Sequence, residues 1–284
     1  MESEYIESSF ANPDEILDET LRPAALNDFS GQESLKTRLS IIITAAKQRN
    51  EPLTHLLFYG PPGLGKTTLA SILASEMGTK LISTSSPAIA KAGDLAGMMT
   101  SLEPGDIFFI DEIHGLNRAI EEYLYPAMED FRLDLTLDSG PSARTVQVNL
   151  NKFTLVGATT RVGNLSAPLR SRFGFTFRLD YYDEKTLTTI ILRSAKILKF
   201  DISIQGARAI ARRSRGTPRV ANNILRWVRD HAQIHNKCKG DEQSVCIALE
   251  MLAIDHMGLD ETDLKILSTI IDHHNGGPVG VKTL

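Results

Sequence analysis

The eight residues Gly60-Pro-Pro-Gly-Leu-Gly-Lys-Thr67 constrain this chain more than any others. They fill every fixed position of the G-x-x-x-x-G-K-T phosphate loop. They also stand in its required context, after the short apolar run His55–Tyr59 and at the start of a helical pattern from Lys66 to Met77. Gly60, Gly63 and Gly65 let backbone N–H groups approach a phosphate chain that a side chain would hold off. Lys66 offers a compact positive charge to the outer phosphates, and Thr67 offers a hydroxyl to Mg²⁺. Leu64 and Thr68, in the same stretch, complete the candidate nucleotide-binding set.

A phosphate loop needs a parallel sheet behind it, and the sequence supplies the strands. Apolar runs recur at Lys80–Ser83, Ile107–Ile110 and Phe153–Gly157 with helical stretches between them, and Leu35, Leu39, Ile42, Ile43 and Ala46 repeat at helical spacing from Ser34 to Arg49. Alternating apolar strands and helices predict a parallel sheet covered on both faces. One segment departs from this. Phe131–Leu137 and Val146–Leu150 alternate strictly around the turn-rich Asp138-Ser-Gly-Pro-Ser-Ala-Arg144, which predicts a β-hairpin over 131–150. After Tyr182 helical periodicity dominates. Residues 1–20, with seven acidic side chains and no basic one, read as a mobile acidic arm rather than a signal peptide.

Further chemistry is expected at the strand ends, where ligands bind in a parallel sheet. Ile107-Phe-Phe-Ile110 delivers Asp111 and Glu112, the first suited to Mg²⁺, the second to orienting and deprotonating water. Val156-Gly-Ala delivers Thr159 and Thr160. One of them can sit between the terminal phosphate and the water, but a slip of one residue exchanges their faces. Thr159 is the catalytic candidate of the two, with the exchange left open. Arg170 and Arg172 lie in a loop-like stretch, and an arginine can stabilise charge on a transferring phosphoryl group. Arg219 follows Gly216-Thr-Pro218 at a helix start. His231 and His235 have the spacing of a helical metal pair, without a third ligand or an intervening glutamate, and read as a solvated helix face.

Together these motifs resemble the AAA+ ATPases, and in detail the RuvB family of Holliday-junction branch-migration motors. The resemblance rests on GPPGLGKTTLA (60–70), KAGDLA (91–96), FIDEIH (109–114), LYPAMED (124–130), VGATTR (156–161), APLRSRFG (167–174), RGTPRVAN (215–222) and GGPVG (276–280). It implies an α/β P-loop NTPase domain with a parallel sheet at 1–181. A small all-α lid domain at 182–253 and the start of a winged-helix head at 254–284 follow it. ATP and Mg²⁺ are implied, with Leu21 and Arg22 beside the adenine and Tyr182 and Pro218 on its other side. Arg172 is implied as the arginine finger acting on a neighbouring subunit, Arg219 as a second sensor. Glu129, Asp130 and Phe131 fall near the neighbour's nucleotide. The implied assembly is a homohexameric ring working on Holliday-junction DNA in the bacterial cytoplasm, with RuvA docked on the 131–150 hairpin and the RuvC resolvase met indirectly. The family's basic DNA-reading segment lies beyond the residues matched here.

Composition fits this picture once charge is resolved along the chain. The net charge of -4 argues at first against nucleic acid, yet residues 161–230 hold 15 Lys/Arg against 5 Asp/Glu. The arginines named above assign part of that block to ATP. Two cysteines exclude a disulfide framework or a cysteine-rich zinc site, and no apolar run spans a bilayer. Two rivals stand against the motor: a clamp-loader-like subunit, which needs no hairpin insertion, and an inert nucleotide-binding ring scaffold. The intact set Lys66, Thr67, Asp111, Glu112 and Arg172 opposes the second.

Overall fold

A computed structural model of the chain describes residues 20–136, 145–235, 239–281 and 283. The acidic arm at 1–19 and the hairpin loop at 138–144 lie outside the described residues. The chain divides into two units, Arg22–Asp180 and Tyr181–Leu284 joined by Leu21.

In the first unit, five strands build one parallel sheet: β1 (Leu56–Tyr59), β2 (Leu81–Ser85), β3 (Ile107–Asp111), β6 (Thr154–Thr159) and β7 (Phe175–Arg178), in the order β2-β3-β6-β1-β7. All four ladders are parallel. Helices on both faces explain why the inner strands read as continuous apolar runs. Leu56, Leu57, Phe58 and Ile107 to Ile110 are all fully buried. The sequence signals missed β7, whose Phe175 and Phe177 alternate with polar residues as befits an edge strand beside β1.

The connections set the position of the site. After β1 the chain passes through α2 (Lys66–Met77) to the far edge strand β2, and returns through α3 (Ala92–Thr100) to β3. From β6 it leaves in the opposite direction, past β1, to β7. The carboxyl ends of β1 and β6, paired at Tyr59 and Thr159, therefore form a topological switch point, where an open α/β sheet leaves a crevice for ligand. Preceding the sheet, α1 (Glu33–Arg49) buries Leu35, Leu39, Ile43 and Ala46 at helical spacing.

The helix α4 (Arg118–Asp130) is capped by Asn117, whose side chain accepts the Ile120 amide. It ends at Phe131 in the left-handed conformation, φ 53°. There the chain turns into the hairpin strands β4 (Arg132–Thr136) and β5 (Thr145–Asn149), paired antiparallel. The hairpin's base is not a free apolar face. Leu133 is fully buried, and its cross-strand partner Val148, with Leu150, packs on the main core; Val146, one step outward, is 41% exposed.

The second unit is mainly helical: α6 (Glu184–Ile197), α7 (Ile204–Arg213), α8 (Pro218–Ile234), α9 (Glu242–Glu250) and α10 (Glu261–His274). Short polar side chains cap four of the five, all but α8. Asp183 accepts from Thr186, Ser203 from Gly206, Asp241 from Ser244, and Asp260 from Thr262 and Asp263. It is not purely helical, since β8 (Asp201–Ile202) and β9 (Lys239–Gly240) form a two-residue parallel ladder. Along α8, Ala221, Ile224, Leu225, Val228 and Ala232 are buried as one stripe. No described helix is long and apolar enough to cross a membrane.

Candidate functional site

The phosphate loop leaves β1 at Gly60, whose φ of 147° and close approach to β7 admit only glycine. A Cβ there would fall 2.4 Å from the Leu179 carbonyl oxygen. Gly65 caps α2 at φ 100°, and no side chain caps the helix in its place. The first-turn amides of this 12-residue helix, including those of Thr67 and Thr68, thus point into the loop with the positive end of the helix dipole behind them. Lys66 is 7% exposed, its Nζ donating to the carbonyls of Gly60 and Pro61 at 2.9 Å each. Leu64 is buried completely, so only its backbone faces the loop. The loop fits a phosphate chain.

Asp111 and Glu112 stand at the end of β3. The Glu112 amide donates to Asp111 Oδ1 at 2.9 Å, and Glu112 itself is left-handed, φ 46°. A non-glycine residue held there is strained, a recurrent feature of functional sites. The turn aims the carboxylate across to β6, where Oε2 accepts from the Thr160 amide at 3.1 Å and from Thr160 Oγ1 at 2.9 Å. Thr159 points the other way and is fully buried, its Oγ1 2.9 Å from His114 Nδ1 and accepting from the Arg161 amide. His114, to which the motif spacing assigns no role, also lies 3.1 Å from Glu112 Oε2. It comes into range because the one-turn 3₁₀ helix Ile113–Gly115 folds it back. A histidine two residues after the carboxylate pair was the available signal.

Arg172 follows the short helix α5 (Ala167–Ser171). Its guanidinium lies 4.4 Å from the Tyr125 ring centroid, donates to Pro168 O at 2.7 Å, and forms an ion pair with Glu129 at 3.2 Å. Arg170 and Arg22 are exposed. Of the trio at the end of α4, Glu129 and Asp130 are exposed, whereas Phe131 turns its ring onto Phe153 at 5.8 Å, edge to face.

Beneath this region His55 is buried with both ring nitrogens used. Nδ1 accepts the Leu155 amide at 2.9 Å, so the proton sits on Nε2 and is donated to Met128 O, also at 2.9 Å. Burial holds its pKa below the usual histidine value, against the opposing pull of the Met128 bond.

The remaining candidates belong to the second unit. The Tyr182 amide donates to Gly216 O at 2.9 Å, fixing Tyr182 beside the turn that opens α8. Pro218 occupies the first turn of that helix and Arg219 follows it, exposed. The Leu21 carbonyl accepts from Arg193. His231 and His235 stack ring on ring at 4.3 Å.

A parallel sheet with a glycine loop after β1, a carboxylate pair after β3, a threonine after β6 and a helical unit following defines a P-loop nucleotide-binding ATPase of the AAA+ class. The comparisons with known proteins are narrower. Residues 21–179 match the model of the Holliday junction DNA helicase RuvB P-loop domain, and 182–255 the RuvB AAA lid domain. The chain belongs to the RuvB family. A Protochlamydia amoebophila relative, the Holliday junction branch migration complex subunit RuvB, is 58% identical over all of this chain and 86% of its own length. The Rubrobacter xylanophilus relative of the same name is 58% identical over 93% of this chain and 75% of its own. The solved Thermotoga maritima RuvB Holliday junction branch migration motor is 49% identical, with a TM-score of 0.84 over 93% of this chain and 84% of that one. Solved variants of the Thermotoga protein replace a lysine, an alanine, a threonine, an arginine and a proline. The intervals between those positions are the intervals between Lys66, Ala158, Thr160, Arg172 and Pro218.

Proposed function

We propose that this chain hydrolyses ATP to drive branch migration of Holliday-junction DNA, as the motor subunit of a hexameric ring that works with RuvA in the bacterial cytoplasm. The convergence of the phosphate loop, Asp111, Glu112 and Thr160 at neighbouring strand ends carries this reading. Lys66 would leave the loop carbonyls for the outer phosphates. Thr67 and Asp111 are the residues suited to hold Mg²⁺, which when bound offsets charge on the phosphate oxygens. Glu112 is the general base. Its contacts among the described residues fall on Oε2, which leaves Oε1 to take a proton from water. Thr160 is a better candidate than Thr159 for the residue that senses the terminal phosphate, because its hydroxyl already bonds the catalytic carboxylate while Thr159 is buried on His114.

Arg172 serves the neighbouring subunit's nucleotide. Leu21 and Arg22 border the adenine, with Tyr182 and Pro218 on its other side, and Arg219 is the second sensor. RuvA would take the outer part of the hairpin, beyond the buried Leu133, and RuvC would be met through the junction. The test is phosphate release from ATP, alone and with RuvA-bound junction DNA, together with strand exchange on a synthetic junction. ATP-dependent migration is expected. Hydrolysis without migration in the presence of RuvA would favour the clamp-loader-like alternative, and no hydrolysis in any mixture would leave the inert scaffold.

A further inference from the structure

Glu121, Tyr125 and Glu129 recur every four residues along α4 and so share one helical face. All three are aimed at α5 and the arginine behind it. Glu121 is 5% exposed, a depth at which a carboxylate needs partners. Its Oε2 accepts from Ser166 Oγ at 2.5 Å and from Tyr125 OH at 3.3 Å. Ser166 is the N-cap of α5, its Oγ accepting the Leu169 amide at 3.3 Å. The Tyr125 ring in turn lies against the Arg172 guanidinium. One buried carboxylate thus fixes both the start of the helix that leads to Arg172 and the aromatic surface on which Arg172 rests. None of the three groups needs to touch nucleotide for this.

We propose that Glu121, Ser166 and Tyr125 are a positioning network that presents Arg172 to the neighbouring subunit. This rests on the reading of Arg172 as the trans-acting arginine. Arg172 has several freely rotating bonds, and holding it before the neighbour arrives lowers the entropy cost of completing the composite site. The ion pair with Glu129 alone would not do so, because both groups reach solvent.

The experiment is steady-state ATP hydrolysis by the full chain bearing Ser166→Ala or Glu121→Leu, with Ser166→Thr as the conservative rescue. The network predicts kcat lower by about ten- to a hundredfold with KM for ATP unchanged, and recovery in Ser166→Thr, which retains a capping hydroxyl. Each variant is then mixed with Glu112→Gln subunits, which lack their own base but offer an intact arginine. Turnover should reappear in the mixed rings, since a Ser166→Ala site then meets a well-placed Arg172. Arg172→Ala mixed with Glu112→Gln is the parallel arm. If it recovers and Ser166→Ala does not, the network is refuted while the trans arginine stands. If neither recovers, the trans reading falls and the network with it. Wild-type kcat in Ser166→Ala also overturns the proposal. Should Glu121→Leu fail to fold by circular dichroism, Ser166→Ala alone decides.

Discussion

Replacing His55 by alanine removes a strut between two parts of the ATPase unit. Its ring joins the Leu155 amide in β6 to the Met128 carbonyl at the end of α4, one residue before Glu129. Truncation leaves a buried N–H and a buried C=O without partners, at about 1–3 kcal/mol each. It also opens space beside Phe153, whose ring centroid lies 5.6 Å from the imidazole. Together these amount to about 3–6 kcal/mol, against a typical domain stability of about 5–15 kcal/mol. With a urea dependence of about 1–3 kcal/mol per molar, the midpoint should fall by roughly 2 M. Urea unfolding followed by far-ultraviolet circular dichroism measures it, and a fall below about 0.5 M would refute the strut. Acid should act in the same direction. The folded pKa of His55 is depressed, so between it and the unfolded value of 6.5 the unfolded chain binds more protons. The histidine's contribution is therefore complete above pH 6.5 and is lost as pH falls towards the folded pKa. His55→Ala should flatten that part of the stability profile, and an unchanged slope would remove the titration argument.

Three further outcomes follow from the site and the lid. Glu112→Gln should bind ATP with unchanged affinity but lose about a hundredfold or more in turnover, read by single-turnover phosphate release; unchanged turnover would exclude it as the base. Gly60→Ala forces a Cβ against the Leu179 carbonyl at a φ of 147°, so nucleotide affinity in a fluorescent-analogue titration should drop at least about tenfold. Ser203→Ala removes the cap on α7 and should cost about 1 kcal/mol of stability in denaturant while leaving nucleotide affinity unchanged.

Much of the site was legible because its chemistry is local. Gly60 to Thr67 lie consecutively on one loop, and Asp111 and Glu112 directly follow an apolar strand, so spacing alone located them. The choice between Thr159 and Thr160 was not legible. It depends on which way β6 faces, and that is set by its ladders with β1 and β3. The edge strand β7 was missed because only one of its faces packs inward. The hairpin's alternation was visible, but a one-dimensional pattern does not tell an apolar face turned to a partner from one turned to its own core; Leu133 is buried and Val146 is not.

The class of the protein is written in the order of its residues. Phosphate binding needs glycines, a lysine and a helix start in unbroken order, and strand burial on two faces writes itself as continuous apolar runs. What supports those residues emerges from packing in three dimensions. His55 gains its meaning from Leu155, 100 positions away, and Ser166 gains its own from Glu121, 45 positions away. Such pairings are made by the order of strands and the packing of α4 on α5. Hydrogen bonds and ion pairs act over a few ångströms of space, and distance along the chain does not enter them.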